Sequence, residues 1–262
     1  MDIASLDFVY KRVVVIKRLL MVVIVQAYAY GIVSVAPVEP GEKSGLSGEL
    51  DFAFKESSGN TARKDYSSGA KVQYDYTDRT DFLIGNYLYA ESEGTKVEDK
   101  NFVHYRHLER LNEQFVLEAY AQGERNAFIN LNRRELAGAG GRYRFFGTKT
   151  VKLYLGIGAY GSVEAYSPAS GGEVEEYKNR ANIYLSYTQK ESEMFEATAT
   201  VYYQPAWDDG EDYYLLANGD LKFYLTQKLQ LKLSFGTKED SEPFEGNKKT
   251  DSYYVLGFGY KF

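Results

Sequence analysis

At 262 residues the chain is long enough to bury a large core, and with no cysteine it can form neither a disulfide nor a thiolate metal site. A net charge of −6, with no dense basic run beyond the amino-terminal leader, excludes a general nucleic-acid binder. Tyr (25) and Gly (24) are abundant, Pro (5) is scarce, and the mean hydropathy is negative. A soluble protein gives that value, and so does a membrane barrel, in which only every second strand residue meets lipid.

The amino terminus, "YKRVVVIKRLLMVVIVQAYAYGIVSVAPVEPGEKSG", has the order of a secretory signal. Lys11, Arg12, Lys17 and Arg18 form a basic region, and Leu19 to Val25 an apolar one. Ala27-Tyr28-Ala29 is a small-x-small cleavage site that makes residues 1–29 the signal, with Ser34-Val35-Ala36 as a second choice. The apolar run is far shorter than the roughly 20 residues of a spanning helix. Residues 37–46 then read as a short periplasmic lead-in, and 47–262 as the folded body.

From Ser47 onward alternation with a period of two recurs, which is strand geometry. The expected strands are 47–56, 66–77, 80–92, 101–110, 113–123, 132–146, 149–165, 175–189, 193–205, 212–225, 228–238 and 251–262. In "LQLKLSF", Leu229, Leu231, Leu233 and Phe235 share a face. In the closing "DSYYVLGFGYKF", Tyr254, Leu256, Phe258, Tyr260 and Phe262 oppose Tyr253, Val255, Gly257, Gly259 and Lys261. The segments around 82–90 and 101–109, where His104 and His107 lie, are ambiguous in phase.

The connections decide the class. Long polar stretches at 57–65, 93–100, 124–131, 166–174, 206–211 and 239–250 alternate with tight turns at 77–80, 110–112, 147–149, 189–192 and 226–228. That layout fits an all-β, transmembrane, antiparallel up-and-down barrel of about 12 strands, with short periplasmic turns and longer outer loops. Most strands are longer than the five or six residues usual in globular sheets. Pro168 and Pro243 fall in loops and Pro205 at a strand end, so no strand interior loses a ladder bond. In hydrocarbon the sheet must close, and the final strand is the one available to seal it to the first. The expected surroundings are outer-membrane lipid and lipopolysaccharide, with a monomer as the default.

Two resemblances sharpen this. The tail "LGFGYKF" looks like the carboxy-terminal signal by which outer-membrane barrels are recognised for insertion. Gly257, Tyr260 and Phe262 match it and Leu256 departs, where a polar residue is usual; the resemblance implies the barrel-assembly machinery as a partner during insertion. The stretches "LSGELDFAFKESSGNTARKDYSSGAKVQYDY" and "EDKNFVHYRHLERLNEQFVLEAYAQGERNAF" resemble the YdiY-like family of salt-induced outer-membrane proteins, a domain of unknown function. The opening Gly48-Glu49-Leu50 and the following Gly59-Asn60-Thr61 carry that likeness, which spans roughly Leu46 to Phe262. It implies location and fold, and no reaction, ligand or catalytic residue.

"GIGAYG" matches a dinucleotide fingerprint through Gly156, Gly158 and Gly161, but the alternation continues through it and no helix can start there to hold a pyrophosphate. Its small residues instead make room for bulky lumen groups of neighbouring strands. His104 and His107, three apart on a strand, point to opposite faces and cannot share a site. No catalytic, cofactor or metal site is expected.

With the apolar face outward, Glu118, Arg142, Arg144, Lys152, Arg180, Glu196, Asp220, Lys222 and Lys232 are the candidate lumen-lining residues; Glu49, Asp51, Lys55, Lys71, Asp75 and Lys261 share the phase. Twelve strands lie between the filled eight-strand barrel and the open channel of 16–18. Either these charges pair as a structural plug of an envelope protein, or they line a narrow pore for small ions or solutes. Compensation of buried charge favours pairing. Arg142, Arg144 and Lys152, met across one tight turn, would form a positive patch needing an acid such as Glu118 or a passing anion.

Overall fold

The computed structural model describes residues 37–42, 44–57, 62–192 and 194–262. The expected leader with both candidate cleavage sites, and Gly59-Asn60-Thr61, lie outside the described residues. Among the described residues there are twelve strands: β1 (Gly45–Ser57), β2 (Arg63–Asp75), β3 (Arg79–Ser92), β4 (Thr95–Arg110), β5 (Phe115–Asn126), β6 (Leu131–Gly147), β7 (Val151–Tyr166), β8 (Val174–Ser192), β9 (Phe195–Pro205), β10 (Tyr213–Tyr224), β11 (Leu229–Asp240) and β12 (Thr250–Lys261). Each runs antiparallel to its neighbours in chain order, and β12 returns to β1, so the sheet closes as a barrel of the class expected.

The faces are inverted relative to a soluble protein. Phe52, Phe54, Leu83, Val103, Leu117, Ile157, Leu185, Leu256 and Phe258 are exposed on the outside. Arg106, Glu118, Arg134, Arg142, Glu164 and Arg180 are buried inside. Leu231 lies opposite the exposed Phe258 on the outer face, whereas Lys232 points in to Asp51 at 3.1 Å. An apolar belt facing hydrocarbon and a polar interior are what the alternation encodes.

The chain enters at one end, here the terminal end, which also carries the turns after β2, β4, β6, β8 and β10; the other connections lie at the far end. Side chains shape the short turns. The Asn112 carboxamide oxygen accepts the Gln114 and Phe115 amides, each at 2.9 Å. Thr148 and Thr226 Oγ1 accept the Val151 and Leu229 amides, also at 2.9 Å. Asn and Thr suit these positions because their oxygens replace a strand carbonyl at the bend.

Three connections differ from expectation. Residues 93–100 are not a loop: β3 and β4 run on to a two-residue turn at Glu93-Gly94, with φ of 52° and 76°, mirror-turn values that match strand twist. The density of Lys, Glu and Asp there marks strands that project past the belt, not a flexible segment. Similarly β5 reaches Asn126, leaving only a 3-10 turn at Ala127–Ile129 before Leu131. Residues 189–192 belong to β8, which ends in a bulge between Lys190 and Ser192.

A candidate lumen with one filled half

Inward positions of β4 to β9 carry large polar side chains that fill their half of the barrel. The Glu118 carboxylate lies 3.4 Å from Arg142 Nη1 and 3.8 Å from Arg106 Nη1, and it accepts the Tyr184 hydroxyl at 2.8 Å. Above it, Asn182 donates to the Tyr120 hydroxyl at 3.0 Å and accepts Gln204 at 2.8 Å, while Tyr160 donates to Gln204 at 3.2 Å. Between these groups remains a void of about 10 Å³, room for one water. Glycines allow this filling: a Cβ on Gly156 would enter the Tyr184 ring, and one on Gly138 would lie 2.7 Å from Tyr120. The "GIGAYG" stretch thus serves packing at Gly156, as its alternation implied.

At the far end a second network is equally dry around Arg134 and opens to solvent at Lys178. Arg134 donates to Glu164 at 2.8 Å, lies 3.3 Å from Glu124, and reaches the Tyr166 and Tyr214 hydroxyls, each at 3.3 Å. Arg180 and Lys178 share Asp212 at 2.7 and 2.8 Å. The connection after β11 folds over this end. Phe244 stacks on Tyr166, ring centres 4.4 Å apart, and Asn247 donates to the Ile129 carbonyl at 3.1 Å.

The wall formed by β10, β11, β12, β1 and β2 is different. Glu49 accepts Lys222 at 3.0 Å and Gln230 at 2.7 Å, with Lys232 at 3.9 Å. Ser234 donates to Asp220 at 2.5 Å, and Tyr224 to Glu196 at 2.9 Å. Gln230 is buried, but Lys232 and Asp51 keep solvent contact, 21% and 31% exposed against 2% for Arg142. The interior around Lys232 and Asp51 is therefore less dry than that around Glu118 and Arg142.

Glu118, Arg142, Arg180, Glu196, Asp220, Lys222 and Lys232 all take up interior contacts. Arg144 sits at the terminal end, 3.3 Å from Glu39. Strand pairing does not gather Lys152 with the two arginines: a bulge between Arg144 and Phe146 sets Lys152 across from Gly147, Arg144 across from Tyr154 and Arg142 across from Gly156. Sequence reasoning missed Glu39, Arg106, Arg134, Glu164 and Asp212. Arg106 shares its inward face with the apolar Leu108, which masks the phase; Glu39 precedes the sheet and carries no periodicity.

His104 faces in, 3.1 Å from Gln122, and His107 faces out, 2.8 Å from Asp81. They share no site. At the seam the Phe262 ring covers Gly48, where a Cβ would clash with it, and the two residues exchange backbone hydrogen bonds at 3.1 Å. Gly257 lies against the Phe52 carbonyl, and Tyr260 pairs with Leu50.

No curated protein matches the chain. Among solved structures, the NanC porin is similar over 82% of this chain and all of its own, at 12% identity and a TM-score of 0.52. The COG4313 outer membrane channel from Pseudomonas putida F1 is similar over 86% of this chain and 99% of its own, at 12% identity and a TM-score of 0.50. Both likenesses are of fold. The family described as a protein of unknown function, DUF481, matches residues 50–262, and the chain belongs to that YdiY-like family.

Proposed function

We propose that this protein is an outer-membrane barrel that passes small ions or solutes along the β10–β12, β1 and β2 side of its lumen, and that it performs no enzymatic chemistry. The carrying observation is the asymmetry of the interior: one half is closed by buried ion pairs and tyrosines, while Lys232 and Asp51 on the other remain open to water. A purely structural plug has no reason to leave Lys232 and Asp51 partly wet. In this reading the terminal end faces the periplasm, the outer face meets lipid and lipopolysaccharide, and the assembly machinery inserts a monomer closing strand first.

A structural envelope role is the second reading, favoured by the dry networks around Glu118 and Arg134. A part in salt or osmotic stress follows only from the family likeness. Planar-bilayer recording separates the two. Discrete conductance steps, small beside those of open 16-strand porins, support the conduit. A folded barrel that gives no steps at any voltage overturns it and leaves the structural role.

A further inference from the structure

Before β1 the chain turns into the barrel instead of leaving it. Pro40 is fully buried, and Val38 packs on the apolar cluster of Phe82, Leu108 and Val116. The Gly41 amide donates at 2.7 Å to Asp75, which also accepts Thr80 Oγ1 at 2.9 Å. Gly41 has φ of +78° and abuts the Thr77 carbonyl, a position that admits no side chain. At the other wall, the Val38 carbonyl accepts Arg142 Nη2 at 2.6 Å. The Glu39 carboxylate accepts the Tyr154 hydroxyl at 2.5 Å and Arg144 Nη1 at 3.3 Å. The segment is thus tied to β2 and the turn after it on one side and to β6 and β7 on the other, across the terminal mouth.

Charge explains why an acid sits there. Arg106 and Arg142 share the single carboxylate of Glu118, and among the described residues Arg144 pairs only with Glu39. Without Glu39, Glu118 is the one ion-pair partner left, among the described residues, to Arg106, Arg142 and Arg144. Buried cations left so are costly and attract an anion.

We propose that Val38–Gly41 is a built-in plug of the terminal mouth, in which Glu39 occupies a carboxylate-binding site made by Arg142, Arg144 and Tyr154, and that undocking exposes a cationic mouth selective for small anions. The docking stands on contacts alone; its transport consequence rests on the conduit reading. The native chain has no cysteine, so a single Val38→Cys reports docking cleanly. In the folded full-length barrel, a membrane-impermeant maleimide should label Val38→Cys at least tenfold more slowly than Ser44→Cys, a solvent-exposed control. Adding Glu39→Ala to Val38→Cys should restore most of the control rate. Val38→Cys labelled as fast as Ser44→Cys overturns the docking, and slow labelling that persists without Glu39 overturns the role of its carboxylate. In planar bilayers, Glu39→Ala should conduct more than wild type, with its reversal potential in a chloride gradient displaced toward anions. Fast labelling of a Glu39→Ala barrel that conducts like a conducting wild type overturns the plug. Silence from both barrels sinks the conduit, while labelling still decides whether the segment docks.

Discussion

Replacing Glu118 by Ala tests whether the filled half is dry. The side chains of Arg106, Glu118 and Arg142 are 6%, 3% and 2% exposed, so removal of the carboxylate strands two guanidinium groups away from water. Arg142 keeps the Val38 carbonyl and the face of Tyr154, and Arg106 keeps the face of Tyr120, ring centre 5.2 Å away. The Tyr184 hydroxyl loses its acceptor. Breaking a buried pair costs about 3–5 kcal/mol, and an orphaned hydroxyl about another 1–3 kcal/mol. Against a urea slope of about 1–3 kcal/mol/M, the midpoint should fall by roughly 1 M or more. Trp207, the sole tryptophan, reports unfolding by fluorescence, and gel mobility with and without heating reports closure independently. Glu118→Gln with Arg106→Met and Arg142→Met should recover much of the loss, because no charge is then left unpaired. A loss under about 1 kcal/mol, the size of a solvent-exposed pair, would refute the dry half and make the whole lumen wet.

Leu231→Arg should destabilise the barrel by about 2–4 kcal/mol if that position meets the hydrocarbon midplane, whereas Lys232→Ala, losing a partly exposed partner of Asp51, should cost under about 1 kcal/mol in the same titration; reversed costs would mean that the faces are exchanged. Deleting Phe262 removes the ring over Gly48 and the two backbone hydrogen bonds to Gly48, so the outer-membrane level and heat-modifiable form should drop; normal values of both would remove Phe262 from any role in insertion. Gly156→Val should cost about 1–3 kcal/mol through collision with Tyr184, while Gly161→Ala, on the outer face, should stay near wild type; equal midpoints would contradict the packed interior.

The barrel was legible because most strands sort lipid-facing and lumen-facing residues cleanly, as Leu229, Leu231, Leu233 and Phe235 do against Gln230 and Lys232. β4 hid its phase for a physical reason: its inner face joins His104 and Arg106 to the apolar Leu108, and its outer face carries the polar pair Tyr105 and His107, both bonded to Asp81. Charge density at 93–100 mimicked a loop because strands that rise above lipid need no apolar face. Direction was readable and partnership was not. Lys222 meets Glu49 and Lys232 meets Asp51 only because β12 lies between β11 and β1, a fact of closure that no local pattern contains. Arg134 was missed beside Arg133, where two like residues give no phase, and Glu39 because "PVEPG" has the composition of a linker.

The seam has a consequence for how the chain is made. β1 pairs with β2 from Gly45 to Ser57, but with the closing segment only from Gly48 to Phe52. Every other pairing joins neighbours in sequence and can zip hairpin by hairpin, while this one waits for the final residues to arrive. Until then the first strand offers a free edge to any other chain in the same compartment, the arrangement that breeds aggregation. Its inward residues Glu49, Asp51 and Lys55 are charged, which discourages a stranger from stacking on that edge. The same acids later receive Lys222, Gln230 and Lys232, so the charges that guard the newborn strand become, after closure, the ties that lock it in place.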